Sequence, residues 1–335
     1  MIARRLMFSS SPAHVELETF ELPQPALGEV LVRNTRTHVS AGSETNFLRF
    51  GPQSYGLPDG ATRANIGYMT AGQIVAVGSD VKGFAVGDRV TTGAAHASHS
   101  VIAITPTAMI DRIPDGVSDD VAGFVALGDV ALHGVRRAQL QIDQSVAVFG
   151  MGLVGQLVLQ FAALSGAHPL IAVDLIDARL RTARELGATH TINPTREDVV
   201  ARVKEITGGT GAEAVFHCAG AASILQQTME CAADRGTVVL TGSPPGTATI
   251  RLKEELLRKE LVLTGTYESG LMQSHVYWRW TRQRNRQAFL RLLAEKKLRL
   301  DPLLTHIVPA AAATDTYRMI LEKSDGWLGV VFNWV

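Results

Sequence analysis

The chain has 335 residues, of which 46% are hydrophobic and 19% charged, and its 32 basic residues balance 32 acidic residues to a net charge of zero. This length favours two domains, and the composition is typical of a globular protein rather than a disordered one. Because there is neither net positive charge nor a long basic run, we expect no nucleic acid and no membrane as partner. The composition therefore favours a small-molecule ligand.

The N-terminus predicts no export signal. Arg4 and Arg5 are followed by a serine-rich stretch that ends at Pro12, not by an apolar core. No stretch approaches the ~18 apolar residues of a spanning helix, so we expect a cytoplasmic protein. The two cysteines, Cys218 and Cys231, belong to no CxxC or Cys/His cluster, which argues against disulfides and against a cysteine-rich metal site.

Residues 1–120 are predicted to be rich in β-strands. Short alternating runs, for example at 73–77 and 99–103, lie between turns that contain glycine, proline and serine, a pattern typical of a barrel or sandwich. From residue 121 onward, short apolar runs alternate with longer amphipathic segments, which predicts βαβ units around a parallel sheet. Six strands are predicted for this doubly wound α/β sheet, at residues 145–149, 170–173, 189–192, 214–216, 237–240 and 261–263.

Helices are predicted between and after these strands. Residues 153–164 are apolar all round, as expected for a helix packed on a sheet, and a helix over 178–186 ends at Gly187. A longer helix is predicted over 274–297, with a polar face of arginines that is most simply explained as solvated. The tail returns to strands at 303–308 and 327–332, with an alanine-rich helix between them, and is predicted to rejoin the first domain.

The run Gly150-Met151-Gly152-Leu153-Val154-Gly155 matches the GxGxxG pattern. It follows a predicted strand and opens a predicted helix, and the next strand ends with an acid, Asp174, which lies 19 positions after Gly155. Gly150 permits a tight turn, Gly152 lets backbone amides approach a pyrophosphate, and Gly155 permits close packing of the helix. Asp174 would accept hydrogen bonds from ribose hydroxyls and repel a 2′-phosphate, which favours NAD over NADP.

Further residues are assigned to the cofactor site. Leu153 and Val154 belong to the glycine motif itself. Arg179 either lies over the adenine or is a solvated helix residue, and the sequence does not decide between the two. The other assigned residues are Cys218, Thr241 and Thr266.

Two more motifs accompany the glycine motif. Residues 78–90 resemble a VG-x-x-V-x-x-F-x-x-GDRV run, and residues 179–188 resemble RL-x-x-A-x-x-LGA. With these motifs the chain resembles the medium-chain dehydrogenase/reductase superfamily, which includes the zinc alcohol and polyol dehydrogenases. The resemblance implies a GroES-like β-barrel catalytic domain at 1–123 and 298–335, with a Rossmann NAD-binding domain at 124–297. It also implies a homodimer, formed through an edge strand at 261–267.

The resemblance implies two loops that carry zinc ligands in the zinc enzymes, and here the ligands are missing. Ala41 stands in the position of the cysteine, Tyr68 in that of the histidine and Met69 in that of the glutamate. Neither an alanine nor a methionine is a plausible zinc ligand, so we expect no metal. We also do not expect His96, His99 and Asp129 to rebuild a site, because no motif brings them together.

Without a metal, another group has to stabilise the developing alkoxide. Tyr68 is the first candidate, because a phenol can donate to an oxyanion or pass on a proton, although it could equally fill the vacated cavity. Ser43 matches the hydroxyl that joins substrate to the nicotinamide ribose in the family, which implies a role in a proton relay. Its alternative is an ordinary turn serine.

Glu44 is a possible base or anchor, and we favour the structural role. His96 and His38 are candidate proton carriers, with His96 preferred, although a lone histidine is usually satisfied by local contacts. Trp278 and Trp280, with Tyr277 before them, either line a substrate pocket or belong to the core. Short motifs in residues 40–44 and 67–68 also resemble a zinc-lacking branch that acts on sugar, cyclitol or tetrapyrrole hydroxyls.

The leading functional prediction is a zinc-independent, NAD-linked dehydrogenase that interconverts a secondary alcohol and a ketone. A zinc-free enoyl or quinone reductase is the alternative enzyme, and such enzymes usually prefer NADPH. The alternative without catalysis is a dinucleotide-binding subunit. The identity of the substrate cannot be derived from these motifs.

Overall fold

The computed structural model describes residues 1–10, 13–51, 62–267, 278–322 and 325–335. Its contacts divide the chain into two compact units. The first unit comprises Met1–Ala126, Arg286–Lys296 and Leu300–Val335, and the second comprises Leu127–Asn285 and Lys297–Arg299. These units differ from the predicted domain boundaries chiefly over 286–296, a segment that packs with the first unit.

The strands are, in chain order, β1 (Ile2–Ser10), β2 (Ala13–Glu21), β3 (Glu29–His38), β4 (Arg63–Asn65), β5 (Thr70–Val77), β6 (Arg89–Thr92), β7 (His99–Ala103), β8 (Ile110–Arg112), β9 (Val146–Phe149), β10 (Leu170–Val173), β11 (His190–Ile192), β12 (Ala212–His217), β13 (Ala232–Leu240), β14 (Val262–Gly265), β15 (Leu304–Pro309) and β16 (Gly329–Asn333).

The α-helices are α1 (Ala41–Phe50), α2 (Asp119–Ala122), α3 (Val125–Ala138), α4 (Leu153–Leu164), α5 (Asp177–Glu185), α6 (Val199–Ile206), α7 (Leu225–Glu230), α8 (Arg282–Ala294) and α9 (Ala313–Glu322). A π-helix spans Leu252–Arg258. Within the described ranges, no helix is both long enough and apolar enough to cross a membrane.

The first unit is built from two sheets. The smaller sheet has the order β2-β1-β4, and the larger has the order β15-β16-β3-β5-β6-β8 with β7 paired to β3. A core of aromatic and aliphatic side chains that includes Phe8, Phe47, Tyr317 and Phe332 joins α1 and α9 to these strands. The tail strands therefore complete the first unit, and the predicted GroES-like domain is confirmed.

The second unit holds a parallel sheet with the order β11-β10-β9-β12-β13-β14. The strand order reverses between β9 and β12, and this reversal defines the topological switch point where doubly wound folds bind ligands. All residues of β9 and β10 are buried, as expected for a sheet covered on both faces. The predicted six-stranded Rossmann sheet is confirmed.

Two elements begin five or more residues from their predicted start. β13 starts at Ala232, five residues before the predicted strand, because a register shift beside Ala212 extends its pairing with β12. The predicted helix over 274–297 is shorter: residues 274–277 lie outside the described residues, and α8 begins at Arg282. The Thr281 hydroxyl accepts a hydrogen bond from the Arg284 amide at 3.2 Å, which fixes the start of α8 in the manner of an N-cap.

Candidate active site

The glycine motif forms a tight turn between β9 and α4. Gly150 has a φ of +90°, and a Cβ atom there would lie 2.8 Å from the backbone of Ala219. A Cβ atom on Gly155 would lie 1.8 Å from the carbonyl oxygen of Gly150. The first and third glycines are therefore required by the backbone, the first for the turn and the third for the close approach of α4.

Gly152 has a different environment. It stands at the N-cap of α4, and a Cβ atom on it would meet no heavy atom within 4 Å. The open space faces the first turn of a 12-residue helix whose N-terminal amides have no carbonyl partner within the helix. These residues fit a dinucleotide, because an open glycine at a helix N-terminus lets a pyrophosphate approach the amides and the positive end of the helix dipole.

Asp174 follows β10 and is bonded to the glycine turn. Its Oδ2 accepts a hydrogen bond from the Met151 amide at 2.6 Å, and its Oδ1 accepts one from the Ile176 amide at 2.8 Å. A carboxylate has about four acceptor positions, so two remain for ribose hydroxyls. Asp174 therefore stabilises the glycine turn and still has acceptor positions for the hydroxyl groups of a sugar.

The predicted cofactor residues share one edge of the sheet. Gly150 directly follows β9 and Asp174 follows β10, while Cys218, Thr241 and Thr266 directly follow β12, β13 and β14. The carboxyl ends of parallel strands form the edge where doubly wound folds bind ligands. The sheet thus brings together residues that lie up to 116 positions apart in the sequence, from Gly150 to Thr266.

The side chains at this edge differ in what they offer. Burial raises the pKa of Cys218 to about 12, so this thiol stays protonated at neutral pH and is not a nucleophile. The Thr266 hydroxyl donates to the Leu240 carbonyl oxygen at 3.1 Å, which secures the end of β14. Cys231, the other cysteine, is buried at the end of α7 and does not reach this edge.

The remaining predicted cofactor residues lie on helices beside the turn. Leu153 is buried and Val154 half-buried in the first turn of α4. Arg179 lies half-buried in α5, and its carbonyl oxygen accepts a hydrogen bond from the Gln156 side chain at 2.9 Å. This contact ties α5 to α4.

In the first unit, three hydroxyl groups come together around Tyr68. The Tyr68 hydroxyl donates to Ser40 Oγ at 2.6 Å, and its oxygen lies 3.4 Å from Ser43 Oγ. Ser40 precedes α1 and Ser43 lies in its first turn, whereas Tyr68 precedes β5. The arrangement is a short chain of groups that can each donate and accept a proton.

Glu44 lies directly behind these hydroxyls and is fully buried. Its Oε1 accepts a hydrogen bond from the Ser40 amide at 2.8 Å, and its Oε2 accepts one from the Tyr317 hydroxyl at 2.5 Å. His96 Nε2 lies 3.3 Å from the same Oε2. A buried carboxylate with three partners is an anchor, because losing any partner would leave one of its acceptor positions without a hydrogen bond.

The two candidate proton carriers are both buried. His96 is 0% exposed, and a Cβ atom on Gly67 would lie 2.4 Å from its Nε2, so Gly67 closes over the ring. Burial lowers the pKa of His38 to about 4, and its Nε2 lies 3.0 Å from the Asp120 carbonyl oxygen. His38 is therefore neutral at physiological pH, and His96 belongs to the Glu44 cluster.

The positions of the family's zinc ligands do not fit zinc. Ala41 has no donor atom, Met69 is 0% exposed with a thioether side chain, and the Tyr68 hydroxyl is bonded to Ser40. Among the residues that the structure describes, no three His, Cys, Asp or Glu side chains form a group that could hold a metal ion. His99 instead contacts the Ser98 hydroxyl, and Asp129 is bonded to Arg282 and Asn285.

Sequence reasoning missed Ser40 and Tyr317 as members of this site. Ser40 adjoins the Ala41-Gly42-Ser43 loop, so its place before α1 was a usable signal. Tyr317 lies 273 positions after Glu44, and no local pattern connects the two residues.

Comparisons with known proteins agree with this architecture. The family model described as alcohol dehydrogenase GroES-like domain matches residues 26–115, and the model described as zinc-binding dehydrogenase matches residues 154–282. The L-threonine 3-dehydrogenase of Pyrococcus horikoshii is 28% identical over 325 residues, covering 87% of this chain and 87% of the relative. The D-guloside 3-dehydrogenase of Escherichia coli is 28% identical over 277 residues, covering 82% of this chain and 79% of the relative.

A solved structure shows the same fold. The 2R,3R-butanediol dehydrogenase of Bacillus subtilis superimposes with a TM-score of 0.82 at 21% identity, covering 99% of this chain and 99% of that chain. The chain therefore belongs to the medium-chain dehydrogenase/reductase superfamily, as the two matched models, the relatives and the fold agree. The predicted family membership is confirmed.

Proposed function

We propose that the protein is an NAD(H)-dependent dehydrogenase that interconverts a secondary alcohol and a ketone without zinc. Membership of the superfamily and the names of the relatives support a dehydrogenase acting on CH–OH groups. We propose a polyol, a sugar, a cyclitol or a similar compound as substrate, and the relatives named for a guloside and for butanediol support a substrate with hydroxyl groups. The observation that carries the zinc-independent mechanism is the hydroxyl cluster of Tyr68, Ser40 and Ser43 at the position of a zinc ligand.

The choice of NAD rests on Asp174. With two carboxylate positions taken by the Met151 and Ile176 amides, the other two are available to ribose hydroxyls. A 2′-phosphate at the same place would meet a negative charge that no described ion pair neutralises. The bound cofactor would supply hydride exchange at nicotinamide C4.

The chain's own residues handle the proton. In the direction of ketone reduction, the Tyr68 hydroxyl donates its proton to the carbonyl oxygen while that oxygen gains negative charge. The Tyr68 oxygen regains a proton through the Ser40 and Ser43 hydroxyls, and half-buried Ser43 takes the replacement proton from solvent water, so each hydroxyl ends the cycle protonated. Glu44 positions Ser40 through its amide and is itself held by Tyr317 and His96. In alcohol oxidation, the hydroxyl groups of Tyr68, Ser40 and Ser43 carry the proton from the substrate to solvent water.

The decisive experiment is a cofactor-reduction screen over secondary alcohols and polyols, with NAD and NADP measured in parallel. We expect turnover with NAD, undiminished by a chelator, in a sample whose metal content is far below one ion per chain. Turnover that a chelator abolishes and zinc restores would overturn the mechanism. A strong preference for NADPH with conjugated enones would instead favour the enoyl reductase, and tight NADH binding without any turnover would favour the non-catalytic subunit.

A further inference from the structure

The second unit carries a group of arginines that the proposed reaction does not use. The guanidinium carbon of Arg136 in α3 lies 3.6 Å from the ring centroid of Trp280. Those of Arg284 and Arg279 lie 4.4 Å and 4.8 Å from the same centroid. Arg137, next to Arg136, lies 5.5 Å from the ring of Trp278. We call Arg136, Arg137, Arg279 and Arg284 the arginine cluster.

The arginine cluster carries positive charge that no ion pair among the described residues offsets. Within the described ranges, none of its four arginines forms an ion pair. Asp129, a buried acid of the same helix α3, is instead bonded to Arg282 at 3.0 Å and to Asn285 at 2.8 Å. An indole face attracts one cation readily, but three guanidinium groups at one ring repel each other.

Burial and the nearby positive charges both affect the ionisation of Arg136. Burial and the neighbouring charges of Arg284 and Arg279 lower the pKa of Arg136 to about 10, while Asp129 opposes the shift. Even so, Arg136 is charged at neutral pH. An anion bound among these guanidinium groups would relieve the repulsion, so the cluster favours a negatively charged ligand.

Two buried polar atoms beside the cluster also lack a hydrogen-bond partner among the described residues. They are Nε1 of Trp278, which is a donor, and Nδ1 of His133. The two rings contact each other with their centroids 5.6 Å apart. Burial and the charges of Arg137 and Arg136 lower the pKa of His133 to about 4, so its ring is neutral. Buried polar atoms are nearly always paired, and an oxyanion would offer Trp278 an acceptor.

The arginine cluster lies at the ligand-binding edge of the sheet. Arg137 donates to the Thr264 hydroxyl at 2.6 Å, close to the carboxyl end of β14. A Cβ atom on Gly134 of α3 would lie 2.6 Å from the hydroxyl oxygen of Thr241, at the carboxyl end of β13. Both strand ends belong to the edge that carries Gly150.

The order of the strands places the cluster opposite the acid that selects the ribose. Asp174 follows β10 on one side of β9, whereas β14 lies on the other side, three strand spacings or about 14 Å from β9. A dinucleotide lies across the switch point, with its adenosine half on the side of Asp174. The cluster is therefore on the side of the other half, where a substrate must approach.

We propose that the arginine cluster, with Trp278 and Trp280, binds the carboxylate or phosphate group of a small-molecule substrate. This proposal rests on the proposed function, whose substrate class it narrows to anionic hydroxy compounds such as hydroxy acids, sugar acids or sugar phosphates. Bidentate contacts from guanidinium groups fit both kinds of oxyanion. The exposed members Arg279 and Arg284 close around the ligand, and the half-buried Arg136 forms the base of the site.

The test measures anion binding directly, by calorimetric titration of the full chain with inorganic phosphate and with malonate, without and with saturating NADH. We expect saturable binding of at least one anion in both conditions, because the arginine cluster is separate from the glycine turn. The double variant Arg279→Gln/Arg284→Gln should weaken binding roughly tenfold or more. Both substituted side chains are exposed, so the variant should fold normally.

The matched control is Arg235→Gln, which removes one positive charge elsewhere in the same unit. Arg235 pairs with Glu260, and Glu260 precedes β14 at the amino edge of the sheet. We expect its anion affinity to equal that of the unaltered protein. Comparing the affinity for phosphate with the affinity for malonate shows whether the site prefers a phosphate or a carboxylate group.

Several results would overturn the proposal. One is anion binding that the double variant leaves unchanged, and another is binding that NADH abolishes, since the anion would then occupy the glycine turn. The proposal is also rejected if neither phosphate nor malonate binds saturably. A short single-stranded DNA that binds more tightly than phosphate, with steep salt dependence, would assign the cluster to nucleic acid instead. If binding behaves as expected but no alcohol is oxidised, the proposed function fails while the anion site stands.

Discussion

At the scale of single residues, the hydroxyl of Tyr68 and the hydroxyl of Tyr317 have different tasks. Tyr68 contacts two serine hydroxyls and is half-buried, whereas Tyr317 is buried and donates to Glu44. In the proposed mechanism the first gives a proton to the substrate, whereas the second holds the carboxylate of Glu44. Comparing Tyr68→Phe with Tyr317→Phe therefore separates proton transfer from positioning.

Tyr68→Phe should lower kcat by about 10²–10⁴ with little change in KM, because it removes a donor used mainly in the transition state. Tyr317→Phe should instead lower the free energy of unfolding by about 1–3 kcal/mol, since it leaves an acceptor of buried Glu44 unpaired. Steady-state kinetics and urea unfolding of both variants check the contrast. If kcat of Tyr68→Phe stays within a few-fold of the unaltered enzyme, Tyr68 is packing and not a proton donor.

Asp174→Ala tests the choice of cofactor. We expect kcat/KM for NAD to fall roughly tenfold or more, and the ratio of NAD to NADP efficiency to fall with it, because the variant loses ribose contacts and removes a repulsive charge. Initial rates with both cofactors give this ratio. Asp198→Ala removes a carboxylate that caps α6 and should leave the ratio unchanged. An unchanged ratio in Asp174→Ala would mean that another residue selects the cofactor.

At the scale of elements, the glycine before Tyr68 illustrates how closely the turn and the buried histidine are fitted. Gly67 has a φ of +88°, and any Cβ atom there would collide with the ring of His96. Gly83 has a similar φ of +82°, but a Cβ atom there would meet nothing within 4 Å. The two glycines thus share backbone strain and differ in packing.

Gly67→Ala should therefore destabilise the protein by about 1–3 kcal/mol more than Gly83→Ala, and it should lower kcat because Tyr68 adjoins the displaced turn. Urea unfolding of both variants, with kinetics on the folded fraction, makes the comparison. Equal destabilisation by the two substitutions would show that backbone strain alone matters and that His96 can move away.

The doubly wound sheet was predictable because short apolar runs alternate with helical segments, and the glycine motif marked the turn at β9. Cys218, Thr241 and Thr266 were assigned to the cofactor site from the sequence, and the order of the sheet places them at one edge. The hydroxyl and carboxylate cluster was predictable only in part. Tyr68, Ser43, Glu44 and His96 lie near recognisable loops, but the hydrogen bond between Glu44 and Tyr317 depends on how β3 pairs with β16, which local sequence does not encode.

The contacts of the arginines near α8 were also not predictable from local sequence. The polar face of the predicted helix indicated solvated arginines. In the structure, Arg279 and Arg284 instead lie over Trp280 together with Arg136 of α3. Helical periodicity describes which face an arginine occupies, but it does not describe what a different element presents to that face.

At the scale of the whole molecule, buried histidines predict how stability depends on pH. The pKa of His38 is about 4 in the folded protein and near 6.5 in the unfolded chain. Between these values the unfolded state binds more protons, so the free energy of unfolding falls as pH falls from 6.5 to 4, by up to roughly 1.4 kcal/mol per pH unit. Urea unfolding across this range should show this decline, and His38→Gln should make it shallower. If the free energy of unfolding of His38→Gln declines just as steeply, other titrating groups cause the decline.

The edge of the parallel sheet predicts the state of association. We propose that the chain forms a homodimer through β14, an edge strand in which Val262 is 53% exposed. Val262→Lys places a charge on this edge and should shift the protein from dimer to monomer in sedimentation velocity experiments. Ile142→Lys adds the same charge at an 85% exposed apolar residue elsewhere and should not. A monomer before any substitution would reject this interface.

The hydrogen bond between Tyr317 and Glu44 also has a consequence for biosynthesis. The Glu44 cluster and the pairing of β3 with β16 both require residues from the tail, whereas the sheet of the second unit is encoded without interruption by residues 146–265. A ribosome synthesising this chain therefore releases a complete nucleotide-binding sheet while the first unit still lacks a central strand. Throughout that interval Arg36–His38 of the nascent β3 lack their β16 partner, although β5 and β7 are already available to pair with β3.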